Sequence, residues 1–204
     1  MEAVYPNSRL DVLEIDPGVT GVAYDLLGLR PETRIVTYNE DARLFLQQPA
    51  IDQYNLVLGD AFNDYSVPYH LTTKEFNDRV KAWLASDGLY AVNMIDGPRG
   101  EFLRAYTHTL QQTFGYVYVV PTIAGWRESP RSTFVLIATD TPMTISEFEQ
   151  INGGDGIPLL ARRALSEQEI ALILSEGRVV TLTDQYAPVD QMLAPVFRDE
   201  LPAQ

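Results

Sequence analysis

Four acidic positions stand where apolar segments end, a place where a carboxylate can meet a ligand. Leu56, Val57 and Leu58 form a consecutive apolar run that stops at Asp60, followed by Asn63, Asp64 and Tyr65. A carboxylate just beyond a buried strand can attract a cation and accept its proton. Upstream, Glu14 and Asp16 lie two residues apart at the end of Leu10 to Ile15, hence on one face of the extended chain. An acid at the end of a strand in a nucleotide-binding sheet can accept hydrogen bonds from ribose hydroxyls. Asp41, ahead of Ala42 and Arg43, is placed either to cap a helix or to accept from an exocyclic amine. For Asp16 and Asp60 a purely structural role, as helix cap or strand terminator, competes with the chemical one.

These positions need elements to hold them. The run of consecutive apolar residues before Asp60 suits a strand buried on both faces of a parallel sheet, and ligands bind beyond the carboxyl ends of such strands. Thr72 and Glu75 form a capping box that starts a helix from about Thr73 to Ser86, with Phe76, Val80, Trp83 and Leu84 on one face and Asp87-Gly88 at its end. Earlier, Leu10 to Ile15 is a strand. It is followed by a helix entered through Asp16-Pro17, carrying Val19, Val22, Ala23, Leu26 and Leu27 and stopping near Gly28. Arg34 to Tyr38 is a second strand, leading into a helix with Leu44, Phe45 and Leu46.

Further on, Leu89 to Ile95 is a buried strand and Arg99 to Phe114 a helix. Tyr116 to Val120 and Thr133 to Thr139 are two strands joined by a loop too short for a crossover helix, so they pair antiparallel. This alternation predicts an α/β protein with a mostly parallel sheet, covered on both faces, and a terminal antiparallel pair. The last part departs from the pattern. It reads as a short helix from Thr144 to Gln150, a glycine-rich turn at 152–156, a capping box at Ser166 to Glu169, an edge strand from Val179 to Leu182, and a proline-interrupted segment from Asp184 to Phe197. The expected division is a nucleoside-binding domain over 1–140 and a C-terminal helical extension over 141–204, packed on the same domain.

Composition narrows the function classes. The 204 residues are 46% hydrophobic and 21% charged, with a net charge of -13. That charge argues against a nucleic-acid partner and favours cationic or neutral ligands. There is no cysteine, and the two histidines, His70 and His108, have no partner at ligand spacing, so a zinc site is not expected. No apolar run reaches the ~18 residues of a membrane span. The chain by itself is therefore expected to be cytoplasmic and to use no metal, with a homodimer among the assemblies open to it.

Taken together, the motifs carry a resemblance. Glu14-Ile15-Asp16-Pro17, Asp41-Ala42-Arg43, Asp60-Ala61-Phe62 with Val67-Pro68-Tyr69-His70-Leu71-Thr72-Thr73, and Leu182-Thr183-Asp184-Gln185-Tyr186-Ala187-Pro188 are similar to the spermidine synthase family. The nearest likeness is to its bacterial branch often fused to membrane-transporter-like helices. The resemblance implies a class I methyltransferase-like Rossmann fold. It also implies aminopropyl transfer from decarboxylated S-adenosylmethionine to a polyamine, putrescine or spermidine. Glu14 would bind the ribose hydroxyls with Asp16 in support, Asp41 and Ala42 would hold the adenine, Asp60 would be the general base, and Asp64 and Tyr65 would contact the polyamine.

The family's loop Asp-Ser-Ser-Asp is here Asp60-Ala61-Phe62-Asn63-Asp64, with Asn63 in place of the second acid. The family's first strand and glycine-rich loop have no counterpart ahead of Glu14, so the expectation is an incomplete fold that is weak or inactive alone. Two other functions compete. One is a methyltransferase using S-adenosylmethionine itself; the other is a non-catalytic polyamine-binding domain of a larger membrane protein.

Overall fold

The computed structural model describes residues 5–61, 67–144 and 162–198. Asp64, Tyr65, the turn at 152–156 and, but for Thr144, the helix expected over 144–150 lie outside the described residues. The chain divides into two compact units, Met1–Ala50 and Ile51–Gln204.

The first unit holds a parallel pair, β1 (Leu10–Leu13) and β2 (Ile35–Tyr38), in register Leu10 to Ile35 through Leu13 to Tyr38. Helix α1 (Pro17–Asp25) leaves β1, with Asp16 as its N-cap and Pro17 in its first turn, and Gly28 beyond it takes the left-handed φ of 78°. Its apolar residues were expected to pack. Instead no residue of α1 is buried, and Val19 and Val22 are each about half exposed. Helix α2 is a single turn, Ala42–Phe45, capped by Asp41.

The second unit holds a four-stranded sheet in the order β3-β4-β6-β5. Its strands are β3 (Tyr54–Gly59), β4 (Leu84–Asp96), β5 (Tyr116–Pro121) and β6 (Ser132–Thr139). β3 and β4 are parallel, and β6 runs antiparallel to both β4 and β5, so three of the four strands point the same way. The antiparallel pairing of β5 and β6 is as the short connecting loop requires. The helices are α3 (Lys74–Trp83), α4 (Glu101–Gln111), α5 (Glu167–Ser175) and α6 (Val189–Arg198).

The core lies against one face of this sheet. Tyr90, Val92 and Met94 alternate along β4 beside Ala138, Leu136 and Phe134 of β6, and all six are buried. Phe102, Leu103, Tyr106 and Leu110 of α4, with Phe76, Val80 and Trp83 of α3, are buried in the same unit. At about 25 cal/mol per Å², such a cluster supplies most of the drive to fold. The opposite face, with Ala91, Asn93, Thr133, Val135 and Ile137, is only half-buried. Cover of both faces was expected; among the described residues this face is the less buried of the two.

Several expected boundaries move for local reasons. Helix α3 ends at Trp83 rather than at Asp87-Gly88, because Leu84 turns extended (φ -86°, ψ 145°) and pairs with Tyr54, burying its side chain. The pairing then skips to Leu56 opposite Leu89, and Gly88 is needed in the intervening bulge. A Cβ there would meet the carbonyl oxygens of Ala85 and Tyr54 at 2.9 Å. β3 is an edge strand, not one buried on both faces: Leu58 is 63% exposed. No strand forms over Val179 to Leu182; a single bridge joins Thr183 to Tyr186 instead. The capping box at Ser166 and Glu169 forms as expected, with both reciprocal hydrogen bonds present. Trp126 is buried, edge-on to Phe134 at 5.1 Å and under the Arg127 guanidinium. No described helix is long and apolar enough to cross a membrane.

Candidate functional site

In the first unit, parallel pairing brings three of the expected acids to one edge. Glu14 and Asp16 follow β1, and Asp41 follows β2, so all three stand beyond the carboxyl ends of neighbouring strands. The Glu14 backbone N–H donates to the Tyr38 carbonyl, extending the ladder by one rung. One oxygen of the Glu14 side chain accepts from the Asp16 backbone N–H at 2.8 Å. Asn39 ties the edge together, donating to the Glu14 carbonyl at 3.1 Å and to the Thr20 hydroxyl at 2.7 Å. Glu14 is half-buried. A carboxylate held by a backbone amide at one oxygen keeps the other for a ligand hydroxyl.

Capping is realised at both other acids. Asp16 Oδ1 accepts from the Gly18 N–H at 2.7 Å, and Asp41 Oδ1 accepts from the N–H groups of Arg43 and Leu44 at 2.7 and 3.1 Å. Ala42 is the first residue of α2.

In the second unit, Asp60 follows directly on β3. Gly59 pairs with Val92, so Asp60 falls next to Asn93 of β4. The Asn93 amide donates to Asp60 Oδ1 at 2.8 Å. Asp60 itself is exposed. Gly59 matters for close approach: a Cβ there would lie 3.0 Å from the Tyr90 hydroxyl, which is buried beneath this end of the strand. The phenols of Tyr90 and Tyr106 meet at 3.5 Å, and burial pushes that of Tyr90 up to about 12.

The expected capping box at Thr72 and Glu75 is built differently. Thr73, one residue later, is the N-cap of α3, accepting from the Phe76 N–H at 3.3 Å, while the Thr72 hydroxyl donates to the Tyr69 carbonyl. Glu75 reaches away from the cap and accepts from the Asp184 N–H at 3.1 Å. Thr73 also donates to Asp184 Oδ1 at 2.8 Å, and the Lys74 N–H donates to the Leu182 carbonyl. The late motif from Leu182 to Pro188 therefore latches onto the first turn of α3, the helix that follows the acidic loop.

Two residues escaped the sequence reading. Asn93 sits inside the apolar run from Leu89 to Ile95, where a polar side chain needs a partner; that mismatch was the available signal. Asp96, at the end of β4, is 1% exposed and accepts from the N–H groups of Gly97 and Leu103 at 2.7 Å. Burial pushes its carboxyl up to about 6, against the pull of these backbone donors. It borders a cleft of about 290 Å³ with Arg99, Met192 and Pro195.

This architecture and these motifs have relatives. Over 131 residues, 61% of the chain, the sequence is 30% identical to the polyamine aminopropyltransferase of Vibrio vulnificus (strain CMCP6), matching 42% of that protein's length. It is 27% identical over 117 residues to a probable polyamine aminopropyl transferase of Bifidobacterium longum (strain NCC 2705), matching 26% of its length. The chain is thus similar, over part of their length, to proteins of the spermidine synthase family.

It spans less than half the length of these two curated relatives. No family model matches the sequence. Among solved structures, a probable spermidine synthase from Corynebacterium glutamicum ATCC 13032 superposes with a TM-score of 0.71 at 22% identity, over 87% of this chain and 65% of that one. A spermidine synthase in complex with the transition state analogue AdoDATO gives 0.60 at 12% identity, over 80% of this chain and 60% of that one. Human methyltransferase-like protein 13 in complex with SAH gives 0.56 at 20% identity, over 92% and 79%. At these identities the likeness concerns the fold, which is the α/β fold common to spermidine synthases and class I methyltransferases.

Proposed function

We propose that this chain carries the aminopropyl-transfer chemistry of a spermidine synthase, moving an aminopropyl group from decarboxylated S-adenosylmethionine to a polyamine. The observation that carries the reading is Asp60, exposed at the carboxyl end of β3 with one oxygen held by Asn93. The kinship with proteins named polyamine aminopropyltransferase supports it.

In this reading the amine nitrogen forms a bond to the carbon next to the sulfonium, the carbon–sulfur bond breaks, methylthioadenosine leaves, and the proton released by the amine passes to Asp60. The sulfonium supplies the leaving group. An ammonium is no nucleophile, so a carboxylate that attracts the cation and then takes its proton meets both needs. Glu14 offers its remaining oxygen to ribose hydroxyls, and Asp41, with Ala42, borders the adenine. Asp16, whose Oδ1 caps α1, supports Glu14 through its backbone N–H. Asp64 and Tyr65 are the proposed polyamine contacts.

The test is methylthioadenosine release by the full chain with putrescine or spermidine. Amine-dependent release that falls by about a hundredfold or more in Asp60→Asn is the expected result. Methyl transfer from S-adenosylmethionine in place of aminopropyl transfer would overturn the reading in favour of a methyltransferase. Calorimetric binding of spermidine with no product from either nucleoside would overturn it in favour of a binding domain.

A further inference from the structure

Asp60 follows an edge strand and is exposed. Asn93 has the opposite setting. It lies in the interior of β4, between Val92 and Met94, which are 1% and 0% exposed, and β4 is paired on both sides, with β3 and with β6. Asn93 itself is in register with Val135. Its backbone continues the ladder with β6 just beyond the last rung shared with β3. Among the described residues, one side-chain hydrogen bond leaves it, to Asp60 Oδ1 at 2.8 Å. An ionised carboxylate only accepts, so the amide nitrogen must face it and the amide carbonyl must turn away. The pair thus engages one oxygen of Asp60 and, among the described residues, leaves Oδ2 as the acceptor.

We infer that Asn93 is a positioning residue: it pins the Asp60 carboxylate so that Oδ2 is the oxygen presented beyond the strand ends. The inference rests on Asp60 being the proton acceptor of the proposed reaction. Proton transfer in the bond-forming step needs the acceptor within hydrogen-bond reach of the amine, and small misplacements of reacting groups cost about a hundredfold in rate.

Two measurements on the full chain test it. Asn93→Leu keeps the side chain's size but removes the donor. It should lower kcat by about a hundredfold while the KM for the nucleoside stays within about twofold, and Asn93→Gln, which keeps a donor on a longer arm, should recover part of the loss. A merely structural role would move stability without this split, and wild-type kcat in Asn93→Leu would overturn the inference.

The second measurement needs no turnover. The side-chain amide resonances of Asn93, assigned by their loss in Asn93→Leu, should move when Asp60 is changed to Ala with Asn93 intact. If they do not respond, the pinning is wrong whatever the activity. If they respond while the wild-type chain releases no methylthioadenosine with any amine, the pinning stands and the aminopropyl-transfer reading falls.

Discussion

Asp96 shows how one buried acid ties this fold to pH. With 1% exposure and a carboxyl pushed up to about 6 from 3.8, it favours the protonated form in the folded state. Its contribution to stability is therefore complete below about pH 4 and is lost as pH rises through 6, a change on the order of 3 kcal/mol for a shift of about two units. Asp96→Asn cannot ionise and should lack this dependence. Its Tm relative to wild type should climb between pH 4 and pH 7 by roughly 5 to 10 °C, on top of any constant offset from weakened backbone contacts. A wild-type-minus-variant difference that is flat across that range would show that Asp96 is not titrating there.

At the level of elements, the junction of the acidic loop with α3 depends on a partner far along the chain. Thr73 serves twice, accepting from Phe76 within its own helix and donating to Asp184 more than a hundred residues later. Thr73→Val removes both functions and should cost about 1 to 2 kcal/mol in urea unfolding. Asp184→Ala removes only the second, so a double-mutant cycle should give a coupling of about 1 kcal/mol between the two sites. Additive effects would mean that the latch contributes nothing beyond the cap. The sequence pointed to a cap in this stretch but placed it at Thr72. Which of two adjacent threonines enters the helix is settled by where Asp184 and Leu182 dock, and no local pattern contains that information.

Across the molecule, burial is distributed unevenly between the two units. Among the described residues the buried hydrophobic side chains are nearly all in Ile51–Gln204, with Leu46 alone in Met1–Ala50. Backbone protection follows local packing. In hydrogen exchange of the full chain, amides of α1 and β1 should exchange at least about a hundredfold faster than those of β4, β6 and α4. Equal protection in the two regions would show that the first unit is held far more firmly than its exposed apolar residues indicate.

Much was legible from the residues alone. Alternation of apolar runs with helical spacing implied an α/β sheet, a short loop implied the antiparallel β5–β6 pair, and Ser166 with Glu169 announced their capping box, because each of these depends on neighbours close in sequence. Glu14, Asp16, Asp41 and Asp60 were singled out because acids at the ends of strands stand out against apolar segments, and the structure places each just beyond a strand. What the tertiary structure alone decided depends on partners distant in sequence. Asn93 reaches Asp60 only through the β3–β4 register, Glu75 turns to Asp184 instead of its own helix, and Leu56 and Leu58, apolar as they are, lie exposed on β3. A side chain's chemistry is written in its type, but its partner is chosen by which segments the fold brings side by side.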